Sequence, residues 1–260
     1  MRKTRRSALF SGKRSLPLKI ALGVIILIIL LVVLIPGKRH VPSSAEANAI
    51  RSRGILHVLV NAAPSDLYTD EGLGLEADII NRIGELIFGD DFDKAADVEF
   101  IRINSSFMDS YFNDATADIA IMQCPTGLYS SKYAYSTPYF TDTCLFIIGN
   151  DTADDMPLNG ISIGVINGGI CEDRLDSYVE KNKLTITKQK YPTYETMLGD
   201  LKSETISACV MQGTAYDEYA KGNFKTHSLK LESISYSVVC NKENEGLCDL
   251  LNAAIADVIK

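Results

Sequence analysis

The chain has 260 residues, 46% of them hydrophobic and 23% charged, which is enough apolar material for one large core or two modest ones of about 100 residues each and excludes a disordered chain. Nine of the 26 basic residues precede Glu46, the first acidic residue, so the remainder carries 17 basic against 33 acidic side chains and a net charge of −16. An acidic body of this kind argues against nucleic acid as a partner and fits an exported, soluble domain.

From Ile20 to Ile35 the sequence is almost wholly apolar, and with its flanks it approaches the roughly 17 to 25 residues that cross a bilayer. Seven basic residues lie ahead of it and only Lys38 and Arg39 follow closely, so the positive-inside bias places residues 1–19 in the cytoplasm and the body outside. The basic break at Lys38, Arg39 and His40 separates this stretch from the nearest small-residue site, Ser43-Ser44-Ala45, which favours an uncleaved anchor over residues 20–37 against a removed signal peptide. Residues 38–49 then read as a linker.

Beyond it the pattern is regular. Ile55–Val60 predicts a strand, Ala77–Phe88 a helix with Ile79, Ile80, Ile83, Leu86 and Ile87 on one side, Val98–Ile103 a strand, Ser106–Phe112 a capped helix and Ile119–Met122 a strand stopped by Pro125 and Gly127. After Tyr139, Cys144–Ile148 predicts a further buried strand. The order then repeats: strand 161–166, helix 171–181, strand 184–189, helix 194–201, strand 206–211. A strand over Ile234–Cys240 and an amphipathic helix over Leu247–Ile259 bring the chain back to the first unit. Two α/β lobes follow, 50–146 with 236–260 and 147–235, and ligands of open α/β sheets bind beyond the carboxyl ends of the strands, here between the lobes.

The run Ile50 to Val58, Gly74-Leu75-Glu76-Ala77-Asp78-Ile79-Ile80, Ala117-Asp118 with Thr126, and Tyr135-Ser136-Thr137-Pro138-Tyr139 resembles the bacterial extracellular solute-binding proteins of the polar amino-acid ABC-transporter type. Leu158 to Val165 with Gly168, Leu201 to Gln212, and Leu250 to Ile255 are similar to the second lobe and closing helix of the same family, so the resemblance covers about residues 50–260. It implies an α/β, two-lobed type II periplasmic-binding-protein-like fold with a hinge, here preceded by one N-terminal transmembrane helix. The implied protein is not an enzyme and needs no cofactor; it is membrane-anchored, closes around a small polar solute and presents it to an ABC permease. A ligand-sensing ectodomain of a transmembrane signalling protein is the alternative, and a dehydratase-like enzyme using Asp66 or Glu172 as a general acid is a third.

The resemblance places the ligand site at Asn61, Asp66 and Tyr68 after the first strand, at Gln123, Cys124, Thr126 and Tyr129 after the third, at Gly168, Gly169 and Ile170 opening a lobe-2 helix, and at Gln212. The anchors are altered. Tyr129 falls where the family has an arginine that forks onto a ligand carboxylate, and neutral amides, Asn61 and Gln212, replace two acidic residues. Gly169 and Ile170 replace a hydroxyl, leaving backbone N–H groups for an anion.

Six cysteines, at 124, 144, 171, 209, 240 and 248, and three scattered histidines show no metal-ligand spacing. Outside the cell they imply disulfides, and Cys240 with Cys248 is the expected pair, with free buried thiols as the other reading. Tyr133, Tyr135 and Tyr139 read as packing around the hinge rather than as ligand contacts.

Overall fold

A computed structural model describes residues 44–62, 67–69 and 72–259. The anchor expected at 20–37 and the candidate Asp66 lie outside the described residues, among which no helix is long and apolar enough to cross a membrane.

In chain order the elements are α1 (Ala45–Arg53), β1 (Leu56–Asn61), α2 (Leu75–Phe88), β2 (Val98–Ile103), α3 (Met108–Asn113), β3 (Ile119–Pro125), β4 (Tyr133–Tyr135), β5 (Phe140–Ile148), β6 (Ser162–Ile166), α4 (Ile170–Asn182), β7 (Thr187–Tyr191), α5 (Tyr194–Lys202), β8 (Ala208–Gln212), β9 (Lys225–Asn241) and α6 (Cys248–Val258), with short helical turns between several of them. The apolar runs become buried strands: β1 and β3 expose almost nothing over Val58–Val60 and Ile119–Met122. The stripe of α2 turns inward as its period requires.

The strands form one sheet in the order β2-β1-β3-β9-β5-β8-β6-β7, with β4 paired to β9. Pairing is parallel within each end, β1 with β2 and β3, and β6 with β7 and β8. Between them β5 and β9 run antiparallel and belong to both ends. The 17 residues of β9 extend roughly 55 Å at about 3.3 Å per residue, far enough to serve two cores. Its late residues pair with β3 and β4, its early ones with the lobe-2 part of β5, and Tyr236 stands at the crossing, opposite both Pro125 and Phe140. Among the described residues, apolar clusters form at both ends of the sheet. One joins Leu59, Ile103, Phe112, Ala120, Met122 and Val239; the other joins Ile147, Met197, Leu201, Ile206, Cys209 and Met211. The expected two lobes are present, linked by two shared strands.

Three features differ from the expectations. Helix α1 occupies residues read as linker: Ser44 caps it by accepting from the Ala47 N–H at 3.0 Å, and Ala47 and Ile50 are its buried residues, too few to give a periodic signal. Strand β9 begins at Lys225, nine residues ahead of the expected start, because its early part alternates polar and half-buried residues along the sheet. The disulfide joins Cys144 on β5 to Cys171 in the first turn of α4, with Cα atoms 5.8 Å apart, and the expected Cys240–Cys248 pair is reduced. Cys240 is instead fully buried on β9 and donates to the Asn244 carbonyl at 3.4 Å.

Candidate functional site: the strand ends around the hinge

On the lobe-1 side the organising residue is Glu76. It lies in the first turn of α2 on the same stripe as Ile79, Ile80 and Ile83, and is fully buried. Its Oε1 accepts from the Gln123 N–H at 3.1 Å and from the Tyr139 hydroxyl, while Oε2 is buried without a partner. Burial pushes its pKa up, against the lowering effect of those two donors. Gln123 has φ +54°, in the left-handed region where a non-glycine residue is under strain, and its N–H also approaches the Tyr139 oxygen at 3.2 Å. This bend accompanies a bulge in β3: register with β9 shifts between Ala120 and Cys124, and pairing resumes at Cys124 and Pro125. Burial also pushes the Tyr139 pKa well above the usual phenol range and the Cys124 thiol up to about 12.

The rest of this wall is fixed by local contacts. Thr126 donates its hydroxyl to the Ser235 carbonyl at 2.9 Å and lies 2.8 Å from the Ser237 hydroxyl, so the loop after β3 is tied to the hinge strand. Asn61 ends β1 opposite Ile103, and its carbonyl accepts from Arg102 at 3.4 Å. Tyr68 is buried against Phe100, ring centroids 5.9 Å apart, with the Arg102 guanidinium 5.5 Å from its ring centre. Tyr129 is exposed; its N–H donates to the Tyr135 hydroxyl at 3.0 Å and its ring meets Tyr133 edge-on.

On the lobe-2 side Gln212 ends β8, donates through Nε2 to the Tyr236 hydroxyl and accepts from the Tyr194 hydroxyl at 3.4 Å. Burial raises both phenols, Tyr194 to about 12. Asp142, buried on β5, accepts from the N–H groups of Gly213 and Thr214 and from the Thr214 hydroxyl. A Cβ at Gly213 would lie 2.8 Å from Asp142 Oδ1, so only glycine allows this cap. Sequence reasoning singled out neither Asp142, Tyr194 nor Tyr236.

The opening of α4 is occupied from within. Glu172 curls back so that its Oε2 accepts from the Gly168 N–H at 3.0 Å, and its Oε1 pairs with Lys188 at 2.8 Å and Lys190 at 2.7 Å. The Lys188 hydrogen bond first, then Lys190 and the Gly168 N–H, hold its pKa down at about 2. The Gly169 N–H is used by the Ile166 carbonyl at 3.0 Å. The disulfide fixes this opening to β5 at Cys144, the residue directly opposite Gln212.

The structure thus brings Cys124 and Thr126 to the hinge strand at Ser237, with Gln123 next to them in the chain, and brings Gln212 from the other lobe to the adjacent Tyr236. Gly168, Gly169 and Ile170 are held beside Gln212 through the disulfide. Asn61 and Tyr68 meet each other through Arg102, and Tyr129 stays at the surface. Sequence reasoning did not single out Glu76 either, although an acid on the apolar stripe of Ile79, Ile80 and Ile83 is a signal that finds it. Among the described residues no cluster of His, Cys, Asp and Glu could hold a metal ion.

No family model and no curated protein sequence matches the chain. Solved structures do. The chain is similar to the holo form of the arginine-binding protein ArgBP from T. maritima, with 21% identity and a TM-score of 0.60 over 82% of this chain and 93% of that one. It is similar to an ancestral amino acid-binding protein, a precursor of cyclohexadienyl dehydratase, with 17% identity and a TM-score of 0.63 over 82% and 93%. A periplasmic binding protein of an ABC transporter from Brucella ovis, with glutathione bound, matches with 16% identity and a TM-score of 0.64 over 82% and 70%. The fold is that of the two-lobed type II solute-binding proteins.

Proposed function

We propose that this chain is a membrane-anchored, extracytoplasmic solute-binding protein that captures a small polar solute between its lobes and delivers it to an ABC-type importer. The observation that carries the reading is the pair of shared strands, β5 and β9, crossing between two separate cores with Tyr236 and Gln212 in contact at the crossing. Two strands can bend where two packed cores cannot, so the strand ends of the lobes move toward or away from each other. Asn61, Gln123, Thr126 and Gln212 are the proposed polar contacts, with Tyr129 closing over the solute from the rim. The Cys144–Cys171 disulfide supports a body outside the cytoplasm, since such bonds persist in oxidising compartments.

The solute is not an ordinary α-amino acid on this reading. An ionised carboxylate taken into a closed cleft needs a paired charge or several strong hydrogen bonds. Tyr129 offers no guanidinium, and the N-terminus of α4 already holds the Glu172 carboxylate. The test is a thermal-shift panel on the full chain in mild detergent, covering amino acids, amides, polyamines, short peptides and sugars. A ligand of the folded state raises the melting temperature; no shift at millimolar concentration of any of them would remove the receptor reading, and micromolar binding of glutamine, arginine or histidine would overturn the exclusion of amino acids.

A further inference from the structure

The unpartnered Glu76 Oε2 has the most demanding chemistry in the described body. A buried carboxyl oxygen without a donor loses its hydration and gains nothing in return. It also sits at the carboxyl ends of the lobe-1 strands, where ligands of such sheets bind. We propose that Glu76 is a ligand-binding residue of the lobe-1 wall and takes the protonated amine of a solute that carries no carboxylate; this deepens the receptor reading and rests on it.

Four observations converge on an amine without a carboxylate. The Tyr139 hydroxyl donates to Glu76 Oε1, and Tyr68 and Tyr236 are near enough for the charge of the acid to raise their pKa values, so phenol oxygens that can accept from an ammonium stand near it. Both positions where an amino-acid receptor would present an acid to the ligand ammonium hold amides, Asn61 and Gln212, which leaves Glu76 as the buried carboxyl of the lobe-1 wall. A carboxylate on the solute would meet Tyr129 and the self-capped opening of α4, neither of which carries a free positive charge for it. The net charge of −16 beyond the basic N-terminal segment draws cations to the surface.

The groups facing Glu76 are Tyr68 from the segment ahead of α2, Cys124 from β3, Tyr139 from the turn into β5 and Tyr236 from β9; Arg102 of β2 lies over the outer Tyr68 ring and on the Asn61 carbonyl. Burial favours the protonated acid. An arriving ammonium favours the carboxylate, so a proton leaves Glu76 as the amine binds, and affinity rises with pH until the amine itself loses its charge. Because Oε2 is buried in this conformation, the amine reaches it through a local opening of the residues around Glu76.

The experiment is calorimetry on the full chain in mild detergent with butylamine and 1,4-diaminobutane as amine probes, acetamide as the neutral probe and glutamine as the zwitterion, for the wild type, Glu76→Gln and Tyr139→Phe. An amine should bind the wild type, with affinity increasing as pH rises above the ordinary carboxyl value and through the raised one of Glu76, and with proton release seen as a dependence of heat on buffer. Glu76→Gln should weaken it about 30-fold, the scale of one lost charge-assisted hydrogen bond. Tyr139→Phe should keep amine binding and move its pH dependence upward, since the carboxylate loses a donor. The proposal is overturned by equal amine affinity in the wild type and Glu76→Gln, by a pH-independent affinity, or by no amine binding at all. Acetamide binding together with an amine affinity untouched by Glu76→Gln would overturn it while leaving the receptor reading in place, whereas that reading fails separately if the whole solute panel leaves the melting temperature unmoved.

Discussion

Glu76 and Glu172 hold equivalent places in the two lobes and behave oppositely. Each is in the first turn of the helix that follows a parallel strand, each is buried, and each accepts a backbone N–H, from Gln123 and Gly168 respectively. Glu172 has Lys188 and Lys190 on one oxygen, and its pKa falls to about 2; Glu76 has phenols and a thiol around it, and its pKa rises. What decides the sign is the company. Cations on neighbouring β7 turn a buried acid into a fixed structural charge, while apolar and aromatic neighbours leave the other acid with an unmet requirement. One acid is satisfied by its own lobe; the other keeps a buried oxygen without a donor.

The largest expected break in this comparison is the disulfide, which holds the Glu172 end of α4 to β5. It closes a loop across a sequence separation of 27, and removing it by a Cys144→Ser, Cys171→Ser pair should cost about 3.5 kcal/mol on the loop-entropy scale. The check is urea unfolding, in which the extrapolated free energy should fall by that amount while the m-value rises, because the chain without the cross-link exposes more surface; an unchanged free energy would mean that α4 is held by packing alone.

Next in size is Glu172→Gln, expected to cost about 2 kcal/mol at neutral pH once the half-exposed Lys190 pair is discounted for solvent screening. The pKa is depressed on folding, so the stabilisation is complete above the ordinary value of 4.5 and is lost as pH falls through about 2. Stability of the wild type and the variant, measured across that acid range, should therefore converge at the low end.

Glu76→Gln should act with the opposite sign and a smaller size. Its pKa is raised on folding, so the wild type is favoured below the ordinary carboxyl value and loses stability as pH rises through the folded one. A glutamine escapes that loss, and its melting temperature should pass the wild type's as pH increases. A gap that is flat with pH would mean that Glu76 titrates normally.

These contrasts also mark what the sequence could be made to say. Strands β1, β2, β3, β6 and β8 and the stripe of α2 were legible because apolar runs and periods leave few alternatives. Helix α1 was not, since only Ala47 and Ile50 anchor it and its capping serine looks like linker. Six cysteines allow fifteen pairings, and the pair that forms depends on β5 and α4 meeting in space, a fact held by the fold and not by spacing. Asn61 and Gln212 do end their strands, as motif positions suggested. Asp142 and Tyr236 were hidden because a residue on a hinge strand looks, in sequence, like any other strand residue.

Tyr129 gives the smallest expected effect and the sharpest separation of stability from binding. Its side chain is 53% exposed, and its main ring contact is an edge-on approach to Tyr133 at 6.3 Å. Its link to Tyr135 runs through the backbone N–H, which a substitution keeps. Tyr129→Ala should therefore leave the unfolding free energy within about 0.5 kcal/mol, as surface changes do. If the ring closes over the solute from the rim, the same variant should weaken binding severalfold, because the lost stacking exists only in the closed, loaded state. Paired urea titration and calorimetry read the two quantities independently. A loss of stability would place the ring in lobe-1 packing, and unchanged affinity with unchanged stability would leave Tyr129 outside the site, with the solute held by the strand ends alone.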